Sequence, residues 1–470
     1  MSWKRALAGF LLFCVLTGLT GCAAQNSILF RPVDDLIRPP RPQGADTAAL
    51  LNAFRSGRPK ESPSFLLQPV LTGDYQGSSL LFHDLDGDGN PEGIVLFQEG
   101  SSTLSEHPMG QLSVFSKEKD GGWRLRQTLP GSGSDVLSVR FVDLNKSGVQ
   151  ELLICWRQAA GRTLFALYGR APGQPLEDTQ RIANYYYSQL DCLDVDGDGQ
   201  LEIFYVWLDD TQQPVQAIAR ALRLVTREAA TKKAVPQPGV DILGEVRLNA
   251  SVAEYTSLHP CQLPNGAHCF LLDADKGAGG MITEILLWDA ENSQLTNLFF
   301  DPEQQTNTAT WRKKAIPVRD IDGDSLPEIP IQSQLPGSGA LVKSQLQEPV
   351  YLTRWCRLTD DLTLAPLADY DCRLYFNATQ WVRLPQALAE RITAVAETQA
   401  KPGEVVIHCY AWDGQTAGEE LFWIKTGPAD GNVQNTGQAN RLMLQFSRTD
   451  AGLKQNLDLR FLAVFEEDGT

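Results

Sequence analysis

Short apolar runs bracket acidic, glycine-rich clusters at several points along the chain. "SLLFH" (79–83) leads into "DLDGDGNPE", and "GIVLF" (93–97) follows it. "SVRFV" (138–142) and "LLICW" (152–156) flank a second cluster. "IFYVW" (203–207) follows a third, and "IPVR" (316–319) precedes a fourth. Runs of this length, rich in β-branched and aromatic residues, predict strands. The repeating unit is therefore strand, polar loop, strand. In the first unit the pattern predicts strands at about 79–83, 93–98, 111–116 and 123–128, with "KEKDGG" as a hairpin turn.

The polar clusters align residue by residue. The first is Asp84-x-Asp86-x-Asp88-Gly89-x-x-Glu92, and the second is Asp143-x-Asn145-x-Ser147-Gly148-x-x-Glu151. The third is Asp194-x-Asp196-x-Asp198-Gly199-x-x-Glu202, and the fourth is Asp320-x-Asp322-x-Asp324-Ser325-x-x-Glu328. A fifth, decayed copy is read at Asp273-Ala-Asp275-Lys-Gly277, which makes the starts 59, 51, 79 and 47 residues apart. Oxygens at alternate positions of a curled loop can converge on one hard cation. Glycine at the sixth position permits the tight turn, and the glutamate returns from the start of the next strand. Calcium takes 6–8 oxygens, so backbone carbonyls and water would complete the shell. An EF-hand shares the first six positions but needs a bidentate Glu at position 12 and a following helix. Here Val95 and Tyr205 stand at position 12 of the first and third copies, and strands follow. The EF-hand is excluded.

Four such loops between strands resemble the FG-GAP and VCBS repeats, the calcium-bearing blades of β-propellers such as the integrin α-subunit head. The resemblance spans roughly residues 75–370. It implies a mainly β fold: a β-propeller of about five or more blades, with the loop joining the innermost strand of each blade to the second. Radial repetition leaves only short, protected edges. Carboxylate count sets an expected order of calcium affinity. The first and third loops come first, then the fourth with Ser325 at the turn, and last the second with only Asp143 and Glu151.

Composition and charge narrow the partners. The chain has 470 residues, 43% hydrophobic and 21% charged, with 39 Gly and 27 Pro, which suits a turn-rich globular β protein. A net charge of −16 argues against a general nucleic-acid binder, which needs clustered Lys and Arg. It gives no reason to expect attraction to an anionic membrane surface either. The N-terminus is another matter. Lys4 and Arg5 precede an apolar stretch over 6–20, short for a transmembrane helix, which ends in Leu19-Thr20-Gly21-Cys22. That ending resembles a bacterial lipoprotein lipobox. It implies a signal peptide (1–22), acylation of Cys22 and an anchor on the outer side of a bacterial membrane. A plain signal peptide cut near Ala24 is the alternative.

Residues 23–60 read as a Pro-rich tether with a short helix at 45–54 capped by Asp46. Residues 61–374 are the expected propeller, in which 223–240 lengthens the third unit as an insertion. Residues 375–470 are expected to form a small α+β or β domain. Seven cysteines remain beyond Cys22. "CQLPNGAHC" (261–269) could close a hairpin disulfide and Cys356 could pair with Cys372, with buried thiols as the alternative. His259, Cys261, His268 and Cys269 share that hairpin, where packing is favoured over a zinc site.

No G-x-S-x-G, H-E-x-x-H or P-loop pattern is present. The leading reading is a lipid-anchored propeller binding an extracytoplasmic protein or glycan. An extracellular carbohydrate-active enzyme and a purely structural surface scaffold are the competing classes. Nine residues before each loop stand Tyr75, Ser134, Tyr185 and Trp311. Such rings suit binding hot spots, so Tyr75, Tyr185 and Trp311 are candidate partner contacts. Packing between blades is the alternative.

Overall fold

The computed structural model describes residues 44–59, 64–99, 109–158, 161–211, 215–228, 236–375, 380–384, 386–398, 405–427, 441–446 and 464–466. Cys22 and the Pro-rich tether lie outside them. The described chain is mainly β, in six antiparallel sheets. Among the described residues no helix is long and apolar enough to cross a membrane. Two compact units emerge, 1–69 with 77–130, and 70–76 with 131–470.

The first unit holds helix α1 (Gly44–Ser56) and strands β1 (Phe65–Leu67), β2 (Leu80–His83), β3 (Glu92–Glu99), β4 (Gly110–Lys117) and β5 (Trp123–Pro130). Strands β2 to β5 fall within two residues of the limits expected from the pattern. β2 pairs with the first half of β3, and β1 pairs with the second half along the same edge. The helix is part of this core rather than of a tether, because Leu50 and Phe54 pack among Phe82, Val95, Phe97 and Phe115. It begins at Gly44, so Asp46 sits in its first turn instead of capping it. There the Asp46 carboxylate suits the positive end of the helix and accepts a 2.9 Å hydrogen bond from Lys117 Nζ.

The second unit is a series of up-and-down sheets taken in chain order. Strands β6 (Asp135–Val142), β7 (Glu151–Arg157), β8 (Thr163–Gly169) and β9 (Gln180–Tyr186) form one. β10 (Gln189–Leu193), β11 (Glu202–Asp209), β12 (Gln216–Arg227) and β13 (Gln237–Arg247) form the next. Of the expected insertion at 223–240, residues 223–227 finish β12 and 237–240 open β13, which pair as a hairpin, and 229–235 lie outside the described residues. β14 (Glu254–Gln262), β15 (His268–Asp275), β16 (Met281–Asp289) and β17 (Gln294–Leu298) follow.

The last two sheets are less regular. One joins β18 (Ile329–Gln334), β20 (Tyr351–Leu358), β21 (Leu364–Pro366), β22 (Arg373–Tyr375), β23 (Gln380–Arg383) and β28 (Val464–Glu466). The other joins β19 (Gln347–Pro349), β24 (Ile392–Thr398), β25 (Val405–Trp412), β26 (Ala417–Gly427) and β27 (Arg441–Phe446), with a short helix α2 (Gln386–Ala389) before β24. Strand β22 runs through residue 374, and β19 pairs with β24. Hydrogen bonding thus continues across the boundary expected at 374/375.

Consecutive sheets of this unit share cores. Ile203 and Tyr205 of β11 pack with Leu153, Cys155 and Phe165 of the preceding sheet. Phe204 and Val206, one residue on, pack with Phe270, Leu272 and Leu286 of the following sheet. Successive side chains of a strand point to opposite faces. An unbroken apolar run such as "IFYVW" therefore marks a strand covered on both faces, where an alternating run would mark one solvated face. The same linkage joins β15 and β16 to β18 through Leu271, Ile285 and Ile329. It then joins β22 and β23 to β24–β26 through Leu374, Val382, Ile407 and Phe422.

Two further expectations fail. The decayed fifth copy is not an interstrand loop. Asp273 and Asp275 end strand β15, and Asp273 is fully buried as the partner of Arg312. The β14–β15 turn, at the place where the motif would lie, is the non-acidic "LPNGA" (263–267). "IPVR" before the fourth loop makes only a single bridge, Arg319 with Glu328, instead of a strand. The seven described cysteines are free thiols, although Cys261 and Cys269 face each other across β14 and β15.

Candidate metal-binding loops

All four acidic loops connect to a following strand, and three of them join two full strands: β2–β3, β6–β7 and β10–β11. Their internal hydrogen bonding is nearly the same four times over. The first aspartate folds the loop onto itself: Asp84 accepts from the backbone N–H of Gly87 at 2.8 Å and of Gly89 at 2.9 Å. Asp143 accepts from Ser147 and Gly148, Asp194 from Gly197 and Gly199, and Asp320 from Gly323 and Ser325. Positions 4 and 6 both adopt positive φ. Glycine fills these places except for Lys146 (φ 56°) and Ser325 (φ 73°). The need for glycine at position 4 is visible in the sequence, where three of four copies carry it.

The ninth-position glutamate is buried in every copy. Its Oε2 accepts the backbone N–H of the second loop residue: Leu85 to Glu92 at 2.8 Å, Leu144 to Glu151 at 3.1 Å, Val195 to Glu202 at 3.0 Å and Ile321 to Glu328 at 3.0 Å. This bond ties the loop to the strand it enters and leaves Oε1 for the loop interior. Burial pushes the Glu92 carboxyl up to about 7, and the charges of Asp86, Asp84 and Asp88 push the same way. Burial likewise raises Glu151 to about 7.

In the first, third and fourth loops, oxygens of the first, third and ninth residues lie within 4.8 Å of one another: Asp84, Asp86 and Glu92; Asp194, Asp196 and Glu202; Asp320, Asp322 and Glu328. These three clusters could hold a metal ion, and an all-oxygen donor set suits a hard cation. Asp88, Asp198 and Asp324 lie beside them, each accepting the backbone N–H two residues on. The second loop carries only two carboxylates, Asp143 and Glu151, with Asn145 and Ser147 at positions three and five.

Two arginines enter these sites. Arg223 of β12 donates to Asp196 and Glu202, and Arg357 of β20 donates to Asp322 and Glu328. Burial works against charge on Arg223, but its hydrogen bonds to Asp196 and Glu202 outweigh that and hold the guanidinium above its ordinary value. Burial keeps Glu202 above the usual carboxylate range, with Arg223 pulling it back. The sequence reading missed both arginines. They lie 21 and 29 residues beyond their glutamates, and only the strand pairing brings them back.

In the second unit the second and third loops are joined directly, and the third is also tied to the next sheet. Leu201, beside the third loop, donates its backbone N–H to Leu144 of the second at 2.9 Å. His268 Nδ1 lies 2.7 Å from the Asp194 carbonyl, and Asn265 donates its N–H to Asp360 at 3.0 Å. His268 is thus bound to the third loop and His259 to Ser257, and among the described residues the histidines and cysteines of that hairpin do not converge as a group of three.

The three candidate contact rings are half-buried and stand apart. Tyr75 meets Phe141 edge-on at 5.4 Å. Tyr185 lies within strand β9, not in an entry loop, and stacks on Tyr205 at 5.5 Å. Trp311 packs against Tyr351 at 5.4 Å and donates its indole N–H to Gly279. Among the described residues no ring contact joins any two of the three.

No known protein family and no curated protein matches the chain. Among solved structures, the tail fiber of Staphylococcus aureus phage P68 aligns at 9% identity over 86% of this chain and 100% of that chain, with a TM-score of 0.14. A likeness that low carries no argument about fold or function.

Proposed function

We propose that this chain is an exported lipoprotein, anchored through Cys22 to the outer side of a bacterial membrane, whose calcium-stabilised β-propeller binds a protein or glycan. Each up-and-down sheet is one blade, of the FG-GAP and VCBS type that the loops resemble. The observation that carries this reading is the acidic loop itself. It recurs four times with the same Asp-to-backbone and Glu-to-backbone bonds, each time leading into a strand. The shared cores between consecutive sheets of the second unit support the blade reading. Calcium is preferred over a softer metal because every candidate ligand is an oxygen.

The test is made on the full chain expressed in a bacterial host. Mass spectrometry should find a lipid-modified Cys22 at the mature N-terminus, and a free N-terminus at Ala23 or beyond would remove the anchor. A glycan array and a surface-protein pull-down, each with and without calcium, should find a partner in its presence. Tyr75, Tyr185 and Trp311 are the proposed contact rings. Tyr185→Ala or Trp311→Ala should abolish capture while costing less than ~1 kcal/mol of stability, whereas rings that serve only as core would cost ~3–5 kcal/mol on truncation. Loss of stability with capture intact would assign both rings to packing.

A further inference from the structure

The third and fourth loops already hold a cation of their own. Arg223 Nη2 lies 2.7 Å from Asp196 Oδ2, 3.2 Å from Asp198 Oδ2 and 2.7 Å from Glu202 Oε1. Arg357 Nη2 lies 2.6 Å from Asp322 Oδ2, 2.8 Å from Asp324 Oδ2 and 2.9 Å from Glu328 Oε1. In each case one guanidinium nitrogen sits on the third, fifth and ninth residues, and Nε also reaches the glutamate. The coincidence is set by strand register. Ile203 pairs with Leu222, so the next pair outward is Glu202 with Arg223. Ile329 pairs with Cys356, so the next pair is Glu328 with Arg357.

The same step in the other two sheets finds no cation. Gly93 pairs with Phe115, so Ser116 stands opposite Glu92. Leu152 pairs with Tyr168, so Gly169 stands opposite Glu151. Among the described residues no Lys or Arg makes an ion pair with Asp84, Asp86, Asp88 or Glu92. The first loop thus carries four carboxylates, three of them gathered within 4.8 Å, with no Lys or Arg among the described residues paired to them. A guanidinium stays charged at every pH that a folded protein meets. Calcium would need the same carboxylate oxygens and would be repelled by that charge.

We propose that Arg223 and Arg357 are the resident cations of the third and fourth loops, so that these loops close without metal and the chain's demand for calcium falls on the first. The arginine role stands on its own geometry, and only the statement about the first loop rests on the calcium reading above. It replaces an affinity order based on carboxylate count, which would rank the third loop with the first.

Equilibrium dialysis of the full chain against calcium, with melting curves in calcium-free buffer, tests both parts. The wild type should bind one ion. Arg223→Gln and Arg357→Gln should each melt lower without calcium and bind a second ion, which restores the melting temperature. Arg223→Lys should keep the stoichiometry at one, and Arg227→Gln, on the exposed pair with Asp241, should change neither reading. If a Gln variant folds only with calcium and then holds two ions, the result is the same. Three ions on the wild type would overturn the proposal, because calcium would then be displacing the arginines. Unchanged stoichiometry and unchanged calcium-free melting in both Gln variants would overturn it as well. No ion on the wild type, with one on each Gln variant, would sustain the arginine role and refute the calcium reading of the first loop.

Discussion

Arg312→Ala should cost the folded protein about 3–5 kcal/mol, read as a lower denaturant midpoint at unchanged slope. Arg312 and Asp273 are both fully buried and pair at 2.7 Å. Asp273 Oδ1 also accepts from Thr283 Oγ1 at 2.7 Å, and its Oδ2 accepts the Val318 N–H at 2.8 Å. Arg312 spends its other donors on the Ile316 carbonyl, Thr283 Oγ1 and the Thr310 carbonyl. The pair ties β15 to the segment that leads into the fourth acidic loop. Removing the guanidinium strands a carboxylate in the interior, and that desolvation penalty sets the size of the loss. Replacing both partners with apolar residues of similar volume should recover most of it. A loss below ~1 kcal/mol for Arg312→Ala would mean that Asp273 is not held there as a buried charge.

Phe204→Ala should be comparably severe, about 3–5 kcal/mol. Phe204 is fully buried and stacks on Phe270 of the next sheet with ring centroids 4.9 Å apart. Truncation removes the ring and leaves a void between two sheets whose backbones are fixed by their own ladders, so the site relaxes little. Tyr186→Ala, at a ring 38% exposed, is the contrast and should cost far less. If the two substitutions prove equally mild, consecutive sheets do not share a packed core there.

How much of this was legible in the sequence depended on how local the information was. Strands β2 to β5 were legible because their apolar runs and the "KEKDGG" turn are encoded within a few residues. The acidic loops were legible for the same reason, down to the glutamate nine positions in. What escaped depended on pairing across long separations. Arg223 and Arg357 acquire meaning only when a third strand lies beside the second in a particular register. Asp273 looked like a loop acid by its spacing to Asp275, but its buried partner Arg312 lies 39 residues away. Helix α1 reads as a solvated tether segment until β3 supplies a surface for Leu50 and Phe54. "IPVR" has strand-like composition but a proline at its second position, which removes one ladder donor.

The most direct test of the central claim, that a metal ion held at an acidic loop stabilises this β fold, is the melting temperature of the full chain with calcium and with excess EDTA. At about 100 times its Kd a single bound ion adds about 2.7 kcal/mol. EDTA should therefore lower the melting temperature, and Asp86→Ala should remove the calcium dependence while Asn145→Ala leaves it in place. A melting temperature indifferent to EDTA, in a protein first shown to be folded and saturated with calcium, would contradict the account.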